Sequence, residues 1–459
     1  MLKEMKLINT RQRLSKPDLL TADNPRVQAI IARKSRAGFF NKRWQLGPLG
    51  GKVPATNVLS TDMWKGKRCF ILAGGPSLKG FDFKQLENEL TIGVNRVYEE
   101  MDCSILFAMD GRFKNWIRDG KYGADVKQRF EDFQGVKFWL DVANLNIDGV
   151  FYLRSIGKQG ISWKLENGLY NGNNSGYGAL NLALALGANP IYLLGYDMSF
   201  SEDGGTHFHD GHPVAFKEPM MDSFLKAFNT FAPEMKANGR SVINLNRNSK
   251  LKCFEFGDLP KDISKTKRPI YVSFYTNTGY EKVVPKLRDS IWKHSLRSRI
   301  ELAPDLGSWV KNTQYKPVFL KKMLDKYPEN PIVWVDCDAI IRNDPVLFDN
   351  FKADIGVHYR CRSDRARKNP GERNLKELLT GTIYLANNKK TRELLDAWIV
   401  ENKAHPEKWD QRTLESIIGK WNGVVEEIPE AYCRIFDSIG DGTPIIEHFQ
   451  ASREFRRRG

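Results

Sequence analysis

The sequence has no run of about 18 consecutive apolar residues, so no membrane-spanning helix is expected. Its first residues, MLKEMKLINTRQRL, lack the apolar core that a signal peptide carries. Cysteine is scarce: Cys69, Cys103, Cys253, Cys337, Cys361 and Cys433 are scattered, with no CxxC or other paired spacing. Several of them lie in apolar, strand-like runs, which points to reduced thiols rather than a disulfide framework. The expectation is a soluble, cytoplasmic protein, in the host cytoplasm if a phage encodes it.

What is present is an ordinary globular composition, 41% hydrophobic and 27% charged over 459 residues, long enough for two or three separate cores. The net charge of +16 is localised: residues 1–50 hold +8, residues 352–376 hold +5, residues 451–459 hold +3, and the rest is neutral overall. Positive charge confined to two ends and one loop suggests a polyanionic contact such as nucleic acid, acidic glycan or membrane headgroups. A solvated basic surface without a partner is the other reading.

Residues 1–60 read as a basic arm, with one short helix signal where Asn24 and Pro25 open RVQAIIARKSR. From Lys67, apolar strands (CFILA, TIGVN, SILFAMD, VKFWL, IYLLGYD) alternate with helical segments such as GALNLALALG and Pro219 to Asn238. That rhythm predicts a parallel α/β sheet over residues 61–262. GDLPKDISKTKRP loses all periodicity and reads as a linker. A second α/β set over 268–459 contains PIYVSFYTN, helices over Val283 to His294 and Pro317 to Tyr327, the strand IVWVDCDAII, TIYLAN, and helices near Arg392 to Glu401 and Gln411 to Gly419. The predicted fold is two Rossmann-like α/β domains in tandem.

In the second domain an apolar strand runs directly into Asp336-Cys337-Asp338. Residues two apart in an extended chain point the same way, so the two carboxylates can address one hard cation, Mn²⁺ or Mg²⁺. Such a cation offsets charge on a departing diphosphate. Tyr315-Lys316-Pro317, WVDCDAII, LLTGTIYLAN, Trp409-Asp410-Gln411 and IIEHFQASR occur in an order that resembles the GT-A nucleotide-diphospho-sugar transferases, over Tyr271 to Arg453. The resemblance implies a GT-A-like second domain with a UDP-sugar donor. It also implies that His448 completes the metal shell, that Lys316 contacts the diphosphate, and that Thr380 and Gly381 border the sugar. Asp410 reads either as a catalytic base for an acceptor hydroxyl or as a helix N-cap.

In the first domain, CFILA enters the turn Gly74-Gly75-Pro76-Ser77-Leu78, with a helix expected after Asp82. The turn has neither GxGxxG nor Walker A spacing, though its backbone N–H groups could meet a phosphate. Asn95, Asp110, Asn174-Ser175-Gly176 and Asp197 fall at strand ends or turns that converge on one crevice. The arrangement resembles the MptE-like family, which includes motility-associated proteins, and distantly the bacterial sialyltransferases that use CMP-sugars. By that resemblance Gly74, Gly75, Ser77, Asn95, Ser175, Gly176 and Asp197 hold a nucleotide, and His207, His209 or His212 acts as base, with His209 the choice. A zinc site in the same histidine cluster is a further reading.

The function these features imply is metal-dependent transfer of a sugar from a nucleotide sugar to a hydroxyl on a glycan, a lipid-linked molecule or a protein, with a second nucleotide site in the first domain. One alternative is a phage-type DNA-modifying glycosyltransferase acting on hydroxymethylated bases, gripped by the basic segments. Another is a nucleotide-binding or structural protein without catalysis.

Overall fold

The protein is described by a computed structural model covering residues 52–141, 149–201, 204–209, 218–263, 267–361, 376–438 and 442–455. The arm helix after Asn24, His212, most of the 352–376 basic segment and the last four residues lie outside these ranges. Among the described residues no helix is long and apolar enough to cross a membrane.

The first domain is built on strands Val53–Pro54 (β1), Cys69–Leu72 (β2), Leu90–Val94 (β3), Ile105–Ala108 (β4), Val136–Asp141 (β5), Phe151–Gly157 (β6), Leu169–Tyr170 (β7), Ile191–Leu194 (β8), Val242–Asn244 (β9) and Glu255–Phe256 (β10). They form one parallel sheet in the order β1-β6-β5-β4-β3-β2-β8-β9-β10, with β7 on β6. Every residue of β2, β3 and β4 is buried, as strands covered on both faces require. Among the described residues the helices Gly111–Arg118 (α1), Ala124–Glu131 (α2), Ser175–Ala185 (α3) and Glu218–Ala237 (α4) accompany this sheet. Helix α3 is buried from Gly176 through Ala185, which explains why GALNLALALG is apolar all round rather than amphipathic.

Two expectations change here. The arm boundary at residue 60 is too late, because β1 pairs with β6 and Ala55, Val58 and Leu59 lie in the core. The helix expected after Asp82 is instead a single 3₁₀ turn, Phe83–Leu86, whose apolar Phe83 and Leu86 are buried.

The second domain contains strands Ile270–Tyr275 (β11), Ser298–Leu302 (β12), Ile332–Val335 (β13), Ala339–Ile341 (β14), Ile355–Cys361 (β15), Lys376–Leu385 (β16), Val425–Glu427 (β17), Arg434–Ile435 (β18) and Ile446–His448 (β19). Helices Val284–Lys293 (α5), Trp309–Gln314 (α6), Lys316–Lys326 (α7), Lys389–Ala404 (α8), Asp410–Ile418 (α9) and Ser452–Phe455 (α10) accompany them. The main sheet runs β12-β11-β13-β16-β15-β17, and β16 is antiparallel to both its neighbours. A second, three-stranded sheet runs β14-β19-β18. IVWVDCDAII is therefore two strands in two sheets rather than one.

The two domains are joined by specific polar contacts. Gln134 accepts from Trp292 Nε1–H through its carbonyl at 2.8 Å and from the Ile300 N–H through its side-chain oxygen at 3.0 Å. Asn88 Oδ1 accepts from Arg297 at 2.7 Å and from Asn330 at 3.0 Å. Trp64 Nε1–H donates to Ser295 Oγ at 2.9 Å, and Phe151 meets Trp292 edge to face. Helix α5, which carries Trp292, also holds β14, since Ser290 Oγ accepts from the Ile341 N–H at 3.0 Å.

Candidate active site

The chain leaves the main sheet after Val335 through a turn. The Asp336 N–H donates to the Gly381 carbonyl at 2.8 Å, and the Ala339 N–H donates back to the Asp336 carbonyl at 3.0 Å. Asp336 and Asp338 thus converge because of this turn, not because the segment stays extended as the sequence suggests. Asp336 Oδ1 accepts from Trp334 Nε1–H at 2.8 Å and from the Lys316 ammonium at 3.2 Å. Asp338 Oδ2 accepts from the Ala451 N–H at 2.5 Å, which ties the turn to the segment just after β19.

That segment follows His448, the last residue of β19, which sits opposite Ala339 in the β14–β19 ladder. Ligand atoms of Asp336, Asp338 and His448 lie within 4.8 Å of one another, the only such group of three or more among the described residues. His448 is 4% exposed, and its Nε2 lies 2.8 Å from Thr382 Oγ1. Burial pushes its imidazole down to about 4, against the opposing pull of Asp336, so the ring is neutral near pH 7. Its Nδ1 is buried and has no hydrogen-bond partner among the described residues. Such an orphan normally costs stability, and a cation beside two carboxylates is the partner that suits it. Gly381 permits the arrangement, since a Cβ there would stand 3.0 Å from the His448 ring. Burial, reinforced by the charge of Asp336, pushes the Asp338 carboxyl up to about 7.

Behind Asp336 lies a buried ion pair. Lys316 opens α7 with Pro317 at the next position, where a missing N–H is harmless. Its ammonium is 2.6 Å from Asp410 Oδ2 and 3.1 Å from the Thr380 carbonyl, and it sits 4.9 Å from the Trp334 ring centroid. Burial pulls this lysine down, but Asp336 and Asp410 more than offset it and leave it above its ordinary value. Asp410 is the first residue of α9, and Trp409 occupies the cap position without a side-chain bond. The N-cap reading of Asp410 is therefore corrected: its carboxylate points inward and accepts from the Thr380 hydroxyl at 3.0 Å.

In the first domain the strand order reverses at β2, the topology at which a crevice is expected beyond the carboxyl ends of β2 and β8. Its two lips are bonded together. The Gly75 N–H donates to the Gly195 carbonyl at 2.9 Å, and Ser77 donates through N–H and hydroxyl to the Asp197 carboxylate at 3.0 and 2.8 Å. A Cβ on Gly75 would come within 2.0 Å of Asp197 Oδ2, so the glycine serves this close approach. The anion seated in the turn is the protein's own carboxylate, and the Gly75 and Ser77 donors assigned to a phosphate from sequence are already in use.

Asn95 has φ 54° and a buried side-chain oxygen without a hydrogen-bond partner among the described residues. Ser175 begins α3, capped by Asn174, and Gly176 admits the Tyr196 ring. Asp110 caps α1. A Cβ on Gly74 would stand 3.0 Å from the His207 ring, and the rings of His207 and His209 stack at 5.0 Å. Arg96 lies 3.1 Å from His209 Nδ1 and can only donate, so that nitrogen accepts and the neutral ring carries its proton on Nε2. Neither histidine belongs to a metal-ligand cluster among the described residues.

Sequence reading did not single out Trp334, Thr382 or the Ala451 N–H as partners of Asp336, His448 and Asp338 respectively. Trp334 is the one with a signal, because it stands two residues before Asp336 at the period that places strand side chains on one face.

No protein-family model and no curated protein sequence matches the chain. Among solved structures it is similar to a glycosyltransferase involved in the glycosylation of the major capsid of PBCV-1, at 12% identity, covering 41% of this chain and 97% of that one, with a TM-score of 0.31. It is also similar to the glycosyltransferase GlyE of Streptococcus pneumoniae TIGR4. The apo form matches at 13% identity and TM-score 0.28, and a second structure at 14% and 0.27, each covering 40% of this chain and 54% of that one.

Proposed function

We propose that the second domain transfers a sugar from a nucleotide-sugar donor, a UDP-sugar, to a hydroxyl acceptor, with Asp336, Asp338 and His448 holding Mn²⁺ or Mg²⁺. The observation that carries this reading is the convergence of two carboxylates and one buried, unpartnered imidazole nitrogen within 4.8 Å. Two oxygens and one nitrogen suit Mn²⁺ better than an all-oxygen site would. In the reaction the anomeric C–O bond to the diphosphate breaks and its electron pair stays on the leaving nucleoside diphosphate. A bond forms from the anomeric carbon to the acceptor oxygen, and the acceptor proton passes to water or to the diphosphate. A bound divalent cation supplies Lewis-acid compensation of the charge gathering on that leaving group.

The chain's own residues prepare the site. Trp334 and Lys316 fix the orientation of Asp336, Ala451 fixes Asp338, and Thr382 fixes the His448 ring. Asp410 has its carboxylate against Lys316 and Thr380, which favours a positioning role over that of a base.

The test is donor hydrolysis across a panel of UDP-sugars with Mn²⁺, repeated in EDTA and with Asp336→Ala plus Asp338→Ala. Turnover is expected in wild type alone, and only with the metal. Activity surviving both chelation and the double substitution would overturn the mechanism.

A further inference from the structure

Beside the carboxylate turn two tryptophans from separate elements meet. Trp309 opens α6 and Trp409 immediately precedes α9, with ring centroids 6.4 Å apart and planes inclined at 55°. Both are half-buried. Trp409 adjoins Asp410, whose carboxylate holds Lys316 against Asp336. Trp309 donates through Nε1–H to the Tyr280 hydroxyl at 3.2 Å. Tyr280 lies at the other flank of the turn, where burial and then the charge of Asp338 push its phenol up. The pair thus spans the approach from Tyr280 to Asp410.

We propose that Trp309 and Trp409 form the subsite that receives a carbohydrate acceptor. A pyranose has an apolar C–H face and a rim of hydroxyls, so it is matched by indole surface beside planar polar groups. Those groups are present: the Arg412 guanidinium lies 5.3 Å from the Trp409 ring centroid, and it bonds Glu377 at 3.2 Å and Glu415 at 2.7 Å. The Gln411 amide donates to the same Glu377 oxygen at 3.2 Å. The tilt keeps a flat nucleobase from being sandwiched between the two rings. Two rings inclined at 55° present a bent surface, which follows a puckered sugar ring. The subsite presupposes the transferase reading of the metal site.

The experiment applies the full-length protein, with Mn²⁺ and UDP, to an array of immobilised oligosaccharides, and measures UDP affinity in Mn²⁺ separately by calorimetry. Wild type is expected to bind a defined set of glycans, and Trp309→Ala and Trp409→Ala to lose at least about tenfold in apparent affinity. Trp309→Phe and Trp409→Phe, which keep a ring, should retain most of the binding, and UDP affinity should stay within about twofold throughout. Glycan binding unaffected by either alanine variant, or no glycan bound by wild type, overturns the subsite. UDP affinity falling in step with glycan binding also overturns it, by assigning the rings to the base. Absence of UDP binding and donor hydrolysis in wild type is a different result, and it removes the transferase reading itself.

Discussion

Lys316 and Asp410 form the closest ion pair of the site, Nζ to Oδ2 at 2.6 Å, and the two residues are 4% and 3% exposed. Removing one member of such a pair strands the other's charge in a low-dielectric interior, at a cost of about 3–5 kcal/mol. Lys316→Met and Asp410→Leu should each lose about that much in urea unfolding, and the double variant should recover most of it. Donor hydrolysis should remain low in all three, because Asp336 loses its ammonium or the ammonium loses its anchor. A double variant no more stable than the singles would show that the two charges are not energetically coupled.

Gly381→Ala tests the fit of the proposed metal shell with little disturbance elsewhere. The added methyl would stand 3.0 Å from the His448 ring, which must then move away from the carboxylate turn. Mn²⁺ affinity measured by calorimetry should fall by about tenfold or more, as for other changes that misplace a ligand, while the melting temperature changes little. An unaltered affinity would mean that His448 does not contribute to the site.

A pH-dependent effect is expected far from that site. Lys137 on β5 donates to the Glu131 carbonyl at 3.1 Å and lies 4.7 Å from the Phe130 ring centroid. Burial, and secondarily the charge of Arg288, pushes it down to about 8. An unfolded lysine titrates near 10.4, so between the folded and unfolded values the unfolded chain holds more protons and this residue's contribution to stability rises with pH. Lys137→Met should match or exceed wild type in melting temperature at pH 7, and the difference should shift towards wild type by about pH 10. A difference independent of pH would contradict the assignment.

The strands and helices of both domains are legible in the sequence because their residues are apolar at the right period. The triad proposed to hold a metal stands out for a different reason: Asp336, Asp338 and His448 are chemically distinctive and stand at strand ends. What the sequence conceals is mostly three-dimensional compensation. Nothing in Ser77 or Asp197 alone reveals that they bond each other across 120 residues and fill a turn that otherwise resembles an anion cradle. The split of IVWVDCDAII between two sheets is equally hidden, since apolar residues on both sides of the aspartates read as continuous. The inward turn of Asp410 depends on Lys316 and Thr380, which are brought to it by α7 and β16.

Gln134 bonds two separate elements of the second domain, one of them the helix that steadies β14, directly after the turn that carries Asp336 and Asp338. The boundary between the domains is therefore a matched surface rather than a tether. Replacing either half by another unit would have to preserve the contacts of Asn88, Gln134, Trp292 and Arg297 together. A chain rejoined at the linker alone would leave the second half without these contacts.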